Sequence, residues 1–171
     1  MMQLDHVIKF TAKDGREVII RPATKGDRDK LVEMYANFHP EDRCLGLPPV
    51  SRPAIETWVE FILDSGFSLV AECDGKIVGH VAIIPAGNGT GELCIFILRD
   101  YQNLGIGQRM MKEIIRMAKE RGMRGIFLTT SRCNVRAIHV FKKMGFKVVD
   151  SCYDYEMFLP LDSSHDKNGQ S

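Results

Sequence analysis

The chain predicts a mixed α/β fold, a central and mostly antiparallel sheet with helices on both faces. Three observations lead there. Apolar, strand-like runs flank Asp14-Gly15 and Asp74-Gly75, dipeptides that favour two-residue turns between antiparallel strands. Four segments carry apolar residues at helical spacing. Between them, a strand over Glu92 to Leu98 runs through a glycine-bearing turn into a long amphipathic helix.

Taken in order, His6 to Thr11 and Glu17 to Arg21 form the first hairpin, and Thr24-Lys25-Gly26-Asp27 resembles a capping box. The helix it opens carries Leu31, Met34, Tyr35 and Phe38 on its apolar side. A second helix starts near Pro53 and buries Ile55, Trp58, Val59 and Ile62. The proline-bearing stretch between them, Phe38 to Pro49, is an irregular connection. Ser68 to Cys73 and Lys76 to Ile84 make the second hairpin, and Pro85 to Gly91 reads as a flexible loop. The helix from about Ile106 to Arg121 buries Met110, Ile114, Met117 and Ala118, with Gly122 as its stop. A buried strand over Gly125 to Thr130, a helix over Asn134 to Met144, and strands near Lys147 to Ser151 and Tyr155 to Leu159 complete the order.

Residues 1–161 thus read as one domain and 162–171 as a polar, flexible tail. The 23 basic and 22 acidic residues leave a net charge of +1, which argues against nucleic acid or an anionic membrane as partner. No apolar run approaches the roughly 18 residues that cross a bilayer. The five cysteines form no Cys-x-x-Cys pair, so neither a zinc site nor a disulfide framework is predicted; no metal is expected, and the expected compartment is a reducing cytoplasm.

The segment Gln102-Asn103-Leu104-Gly105-Ile106-Gly107 predicts an anion site, because the first amides of a helix lack internal partners and sit at the positive end of its dipole. Glycine at 105 and 107 admits close approach by a diphosphate. The turn is not a P-loop, since no Lys-Ser/Thr pair follows Gly107, and a dinucleotide fingerprint would need glycine where Met110 stands.

Gln102-x-x-Gly105-x-Gly107 after a strand, followed by Asn134-x-x-Ala137-x-x-x-Phe141-x-x-x-Gly145-Phe146, resembles the GNAT superfamily of N-acetyltransferases, over roughly Ile19 to Phe146. The resemblance implies that family's fold, in which the fourth and fifth strands splay apart; the strand at about 6–11 is then an addition. It also implies acetyl-CoA as acyl donor and an amine as acceptor. In this sequence, backbone groups of Ile95 and Ile97 would pair with the pantetheine arm, and Leu98 would border it. Amides from Gln102 through Asn103, Leu104, Gly105, Ile106 and Gly107 to Gln108 would hold the diphosphate. Asn134 would touch the arm, and Ala137, Phe141 and Lys143 would line the thiol and adenine side. By spacing alone, Ala137 and Phe141 fit helix-core packing equally well, and Asn134 fits an N-cap.

The chemistry implied is acetyl transfer from a thioester to an amine. A lysine with pKa near 10.4 is neutral only about once in a thousand at pH 7.4, a deficit of about 4 kcal/mol that a base or a desolvating pocket must help offset. Glu92, opening the motif strand, is the candidate base; Glu72, His80 and Glu41 are the alternatives. Many family members carry a tyrosine as general acid where this chain has Phe141, leaving Cys133, Tyr101 or water as substitutes. The stretch Pro40-Glu41-Asp42-Arg43-x-Leu45 resembles one in bacterial and archaeal protein lysine acetyltransferases, which directs the expectation to a protein or peptide lysine. A small-molecule amine (polyamine, amino acid or antibiotic) and a non-catalytic acyl-CoA sensor are the alternatives. A strand near the C-terminus leaves a homodimer open.

Overall fold

The computed structural model describes residues 7–161, so His6 of the expected first strand and the expected polar tail lie outside the described residues. One eight-stranded sheet forms the centre. Its strands are β1 (Ile8–Thr11), β2 (Glu17–Pro22), β3 (Phe67–Cys73), β4 (Lys76–Gly87), β5 (Thr90–Ile97), β6 (Gly125–Thr130), β7 (Lys147–Asp150) and β8 (Tyr155–Pro160). They lie side by side in the order β1-β2-β3-β4-β5-β6-β8-β7, and only β5 and β6 run parallel. Four helices flank them: α1 (Arg28–Ala36), α2 (Arg52–Ser65), α3 (Ile106–Glu120) and α4 (Val135–Lys143).

Each face is closed by its own apolar cluster. On one, Met110, Met111 and Ile114 of α3 and Phe141 of α4 bury against Leu69, Val81, Leu93 and Ile126. On the other, Leu31 and Tyr35 of α1 and Ile55 and Val59 of α2 cover Val70, Ile77 and Phe96. Burying such side chains contributes roughly 1.5–3 kcal/mol each, so these two layers fix where the sheet edges and helix ends can lie. Gly79 sets how closely α3 seats. A Cβ there would stand 2.9 Å from Ile97 Cδ1 and 3.1 Å from Met110 Sδ.

Three details differ from the sequence reading. Pro85 to Gly91 is not a flexible loop: β4 runs on to Gly87 and β5 starts at Thr90, joined across Asn88-Gly89. Both turn residues have positive φ, 54° and 74°, the geometry that matches the twist of an antiparallel pair. The capping box at Thr24 and Asp27 opens a 3-10 turn, and α1 proper begins at Arg28. Trp58 is half-buried, its ring standing edge-on to Tyr35 and Phe96.

One departure from regular pairing positions everything that follows. β5 and β6 pair only at Thr90↔Gly125, Gly91↔Ile126 and Glu92↔Phe127. Beyond Glu92 the two strands part, while β6 stays paired to β8 as far as Thr130↔Tyr155. The sheet therefore splits into a wedge between the second half of β5 and the end of β6.

Candidate active site

Along the wedge, β5 presents a backbone edge that no neighbouring strand pairs, only Ile97 O being met there by the Gln102 side chain. The Leu98 N–H donates to Val78 O at 2.9 Å, which turns the backbone groups of the even-numbered residues toward β4. By strand alternation, those of Ile95 and Ile97 then face the open side. An extended ligand can pair there as a missing strand would. The side chains of Ile95 and Ile97 lie on the α3 face, those of Cys94 and Phe96 on the α1/α2 face.

At the outer end of the wedge, a 3-10 turn over Arg99–Tyr101 leads into the start of α3. Gly105 caps that helix with φ of 88°, a left-handed conformation that costs other residues roughly 1–2 kcal/mol. Gly107 is different: a Cβ there would meet only Ile97 and Ile95 carbons at 3.7 and 3.9 Å, so the protein itself leaves room above it. The first-turn amides of α3 point into this space without helical acceptors. Gln102 departs from the expectation, because its N–H closes the 3-10 turn onto Arg99 O at 3.2 Å. Its side-chain amide instead donates to Ile97 O at 3.0 Å and to Asp42 Oδ2 at 3.3 Å.

The irregular connection between α1 and α2 straps across the mouth of the wedge. Arg99, just past β5, donates to Asp42 at 2.8 and 3.0 Å and reaches Glu41 at 3.4 Å. That guanidinium holds the Asp42 carboxyl below the usual range. On the β6 side, the Ser131 N–H donates to Cys44 Sγ at 3.5 Å. Arg43 ties the strap to itself through Pro48 O and Gly46 O. The strap thus joins both arms of the split sheet and encloses a cleft of about 840 Å³.

Helix α4 forms the remaining wall. Asn134, Ala137 and Phe141 all line the cleft. Asn134 stands at the N-cap position but makes no cap bond; its Nδ2 donates to Thr130 Oγ1 at 3.2 Å. Phe141 is buried and packs against Phe146, ring centroids 6.0 Å apart. Tyr101 and Cys133, the suggested substitutes for a tyrosine there, both border the cleft.

Of the fifteen residues named as cofactor contacts or first candidate base, the cleft gathers ten: Ile95, Ile97, Gln102, Asn103, Gly105, Gly107, Gln108, Asn134, Ala137 and Phe141. Five fall outside its lining. Ile106 is buried in the core, and Leu98 and Leu104 pack against it. Lys143 lies exposed on α4 with Nζ 3.4 Å from Gln108 Oε1. Glu92 is exposed at the inner end of the wedge, where β5 and β6 part, on the strand face it shares with Cys94 and Phe96. From Ile97 back to Glu92 is five residues, about 17 Å of strand.

The alternative bases sort by place. Glu72 is engaged by Arg21 at 2.6 Å and has a structural role. Glu41 lines the cleft with its side chain 79% exposed. His80 is buried, its Nδ1 2.6 Å from the Tyr35 hydroxyl and its Nε2 without a partner. Burial lowers its pKa to about 4, which keeps the ring neutral. Loss of hydration around the half-buried Cys94, with the charge of Glu92 adding, pushes its thiol up to about 12, which keeps it protonated at neutral pH.

Sequence reasoning missed Lys13, which comes from the β1–β2 hairpin, and the aromatic wall of Phe38 and Phe96. It also missed the Arg99–Asp42 clamp. Pairs so far apart in sequence carry no local signal; only the alternation of β5 could have placed Phe96 on the α1/α2 side.

Residues 29–146 match the family described as Acetyltransferase (GNAT) family. The "Probable N-acetyltransferase camello" of Xenopus tropicalis is 36% identical over 81 residues, which cover 46% of this chain and 37% of that protein. The N-alpha-acetyltransferase of Sulfurisphaera tokodaii is 27% identical over 154 residues, 81% of this chain and 85% of that one. The chain thus spans well under half the length of the first relative and most of the second. Among solved structures, the GNAT domain of S. lividans PAT aligns with a TM-score of 0.77 at 20% identity, covering 91% of this chain and 97% of that one. The PaiA N-acetyltransferase from Thermoplasma acidophilum, solved in complex with coenzyme A, aligns with a TM-score of 0.66 at 21% identity, covering 84% and 98%.

Proposed function

The chain belongs to the acetyltransferase (GNAT) family, and we propose that it transfers an acetyl group from acetyl-CoA to a primary amine of a protein or peptide, a lysine side chain. Acetyl-CoA is the family's acyl donor. The observation that carries the reading is the wedge itself: β5 and β6 pair for three residues and then part, with the glycine turn of α3 at the open end.

The residues present fit that donor. Gly105 holds the turn in a conformation only glycine adopts cheaply, Gly107 leaves space above the helix start, and the edge at Ile95 and Ile97 offers backbone groups for an amide-bearing arm. In this reading the amides of Asn103 to Gln108 hold the diphosphate, Ile95 and Ile97 hold the arm, and Asn134, Ala137 and Phe141 wall its far side. The arm runs inward from the turn and ends near Glu92. Lys143 steadies the rim through Gln108.

Transfer forms the amide N–C bond and breaks the thioester C–S bond; the acceptor's ammonium proton must leave first. Glu92 is the proposed proton acceptor, directly or through one water, since it stands where the wedge closes and on the α1/α2 face from which an acceptor enters. The leaving thiolate, with a thiol pKa near 8.5, needs little help from an acid, which suits a site with phenylalanine at position 141. The acceptor side carries Glu41 on an open rim, 3.4 Å from Arg99, where an incoming cationic amine would compete for its charge.

Incubation with acetyl-CoA and three acceptors tests this: a lysine peptide with a blocked N-terminus, a lysine-free peptide with a free N-terminus, and a panel of amino acids and polyamines. Acetylation of the first supports the proposal. Acetylation confined to the small amines would assign a small-molecule acceptor instead. Cofactor binding with no product from any amine would make the protein an acyl-CoA sensor.

A further inference from the structure

The N-terminal hairpin lies ahead of the family-matched residues 29–146, yet it is fastened to the glycine turn at three points. The Lys13 N–H donates to Leu104 O at 3.2 Å. The Phe10 ring lies beside Gly105, its Cζ 3.3 Å from where a Cβ would stand. Arg16 donates to Asp100 O at 2.9 Å and lays its guanidinium 4.2 Å from the Tyr101 ring centroid. A hairpin that served only to extend the sheet would need none of these. Their joint effect is to bring the Lys13 side chain over the turn: its Cε lies 4.0 Å from the Cβ position of Gly105, and the residue lines the cleft.

The charges around it are already spoken for. Asp14, the adjacent acid, is held by Arg16 at 2.7 Å. Arg109, in the first turns of α3, is turned to Glu113 at 3.3 Å. Among the described residues no carboxylate forms an ion pair with Lys13. It is an uncommitted ammonium beside a set of uncommitted amides, a combination that takes a phosphate.

We propose that Lys13 is a coenzyme A ligand supplied by the N-terminal hairpin, its ammonium binding a phosphate of the cofactor at the Gly105 turn. The inference rests on the reading of that turn as the diphosphate site. Two phosphates offer the same chemistry, the diphosphate and the 3′-phosphate of the ribose, and the test separates them.

Calorimetric titration of the wild type, Lys13→Met and Lys13→Arg with coenzyme A and with dephospho-coenzyme A reads the result directly. Lys13→Met should weaken coenzyme A binding about ten-fold, the order of one charge-assisted contact, and Lys13→Arg should restore most of it. An equal loss toward dephospho-coenzyme A assigns the contact to the diphosphate, and a loss toward coenzyme A alone assigns it to the 3′-phosphate. Unchanged affinity in Lys13→Met overturns the inference. So does a loss that Lys13→Arg does not restore and that comes with a lowered thermal midpoint, because the hairpin would then act only as a brace. Failure of the wild type to bind either ligand would be a different result, removing the diphosphate reading of the turn itself.

Discussion

Acidification should weaken this fold through a single buried ring, and the size of the effect can be worked from its surroundings. His80 sits on β4 beneath α1, its Nδ1 against the Tyr35 hydroxyl and its Nε2 unpartnered. Burial holds its pKa at about 4, against 6.5 when exposed; Asp27 opposes that shift, and Cys94, its thiol held at about 12, carries no charge. A ring that refuses a proton when folded and accepts one when unfolded favours the unfolded chain as pH falls. The contribution is therefore complete above about pH 6.5 and is lost progressively down to about pH 4. At about 1.4 kcal/mol per pH unit the loss comes to about 3 kcal/mol, a large share of the 5–15 kcal/mol typical of a domain. Urea unfolding of the wild type and His80→Gln at half-unit steps from pH 4.5 to 8 measures it. Carboxylates titrate alike in both proteins, so the difference between the two stabilities isolates His80. It should be flat above pH 6.5 and fall steeply below. Parallel curves across the whole range would refute the reasoning.

Two further predictions concern the site. Arg99→Gln should release the strap from β5, raising the acceptor KM several-fold and opening residues 39–47 to limited proteolysis. Stability should change little, since the Arg99 guanidinium stands in solvent even though Asp42 is largely covered; an unaltered KM would show that the strap does not shape the acceptor side. Glu92→Gln should lower kcat ten-fold or more at pH 7, with the deficit shrinking toward pH 10 as the free amine accumulates. A pH-independent deficit, or none, would remove Glu92 as base, and the same profile in Glu41→Gln would transfer the role to the cleft rim.

Much of the architecture could be read from local patterns, and the exceptions have physical causes. The two Asp-Gly hairpins and the apolar stripe of α3 are local features and stand in the structure, although only Asp74-Gly75 is the two-residue turn expected; Asp14-Gly15 sits in a longer loop between Thr11 and Glu17. The Pro85–Gly91 stretch misled because glycine and asparagine mark a tight left-handed turn as readily as a loose one; pairing from Ile84↔Glu92 to Gly87↔Thr90 decided the matter. That the glycine turn opens a helix was legible from residue types alone. Its support was not. Asp42 and Arg99 are 57 residues apart, and Lys13 reaches the turn only because β1 and β2 fold back along the sheet edge. Glu92 shows the same limit, since its strand and face follow from alternation while its distance from the cleft depends on where β5 and β6 cease to pair.

Amide hydrogen exchange on the intact protein, with and without saturating acetyl-CoA, tests the central claim most directly. The account predicts slowed exchange at Ile95 and Ile97 on the open edge of β5 and at the first-turn amides of Gly107 and Gln108, with Leu98, already bonded to Val78, unchanged. Protection confined to other parts of the sheet, or none at these four amides despite binding, would contradict the wedge as the acetyl-CoA site.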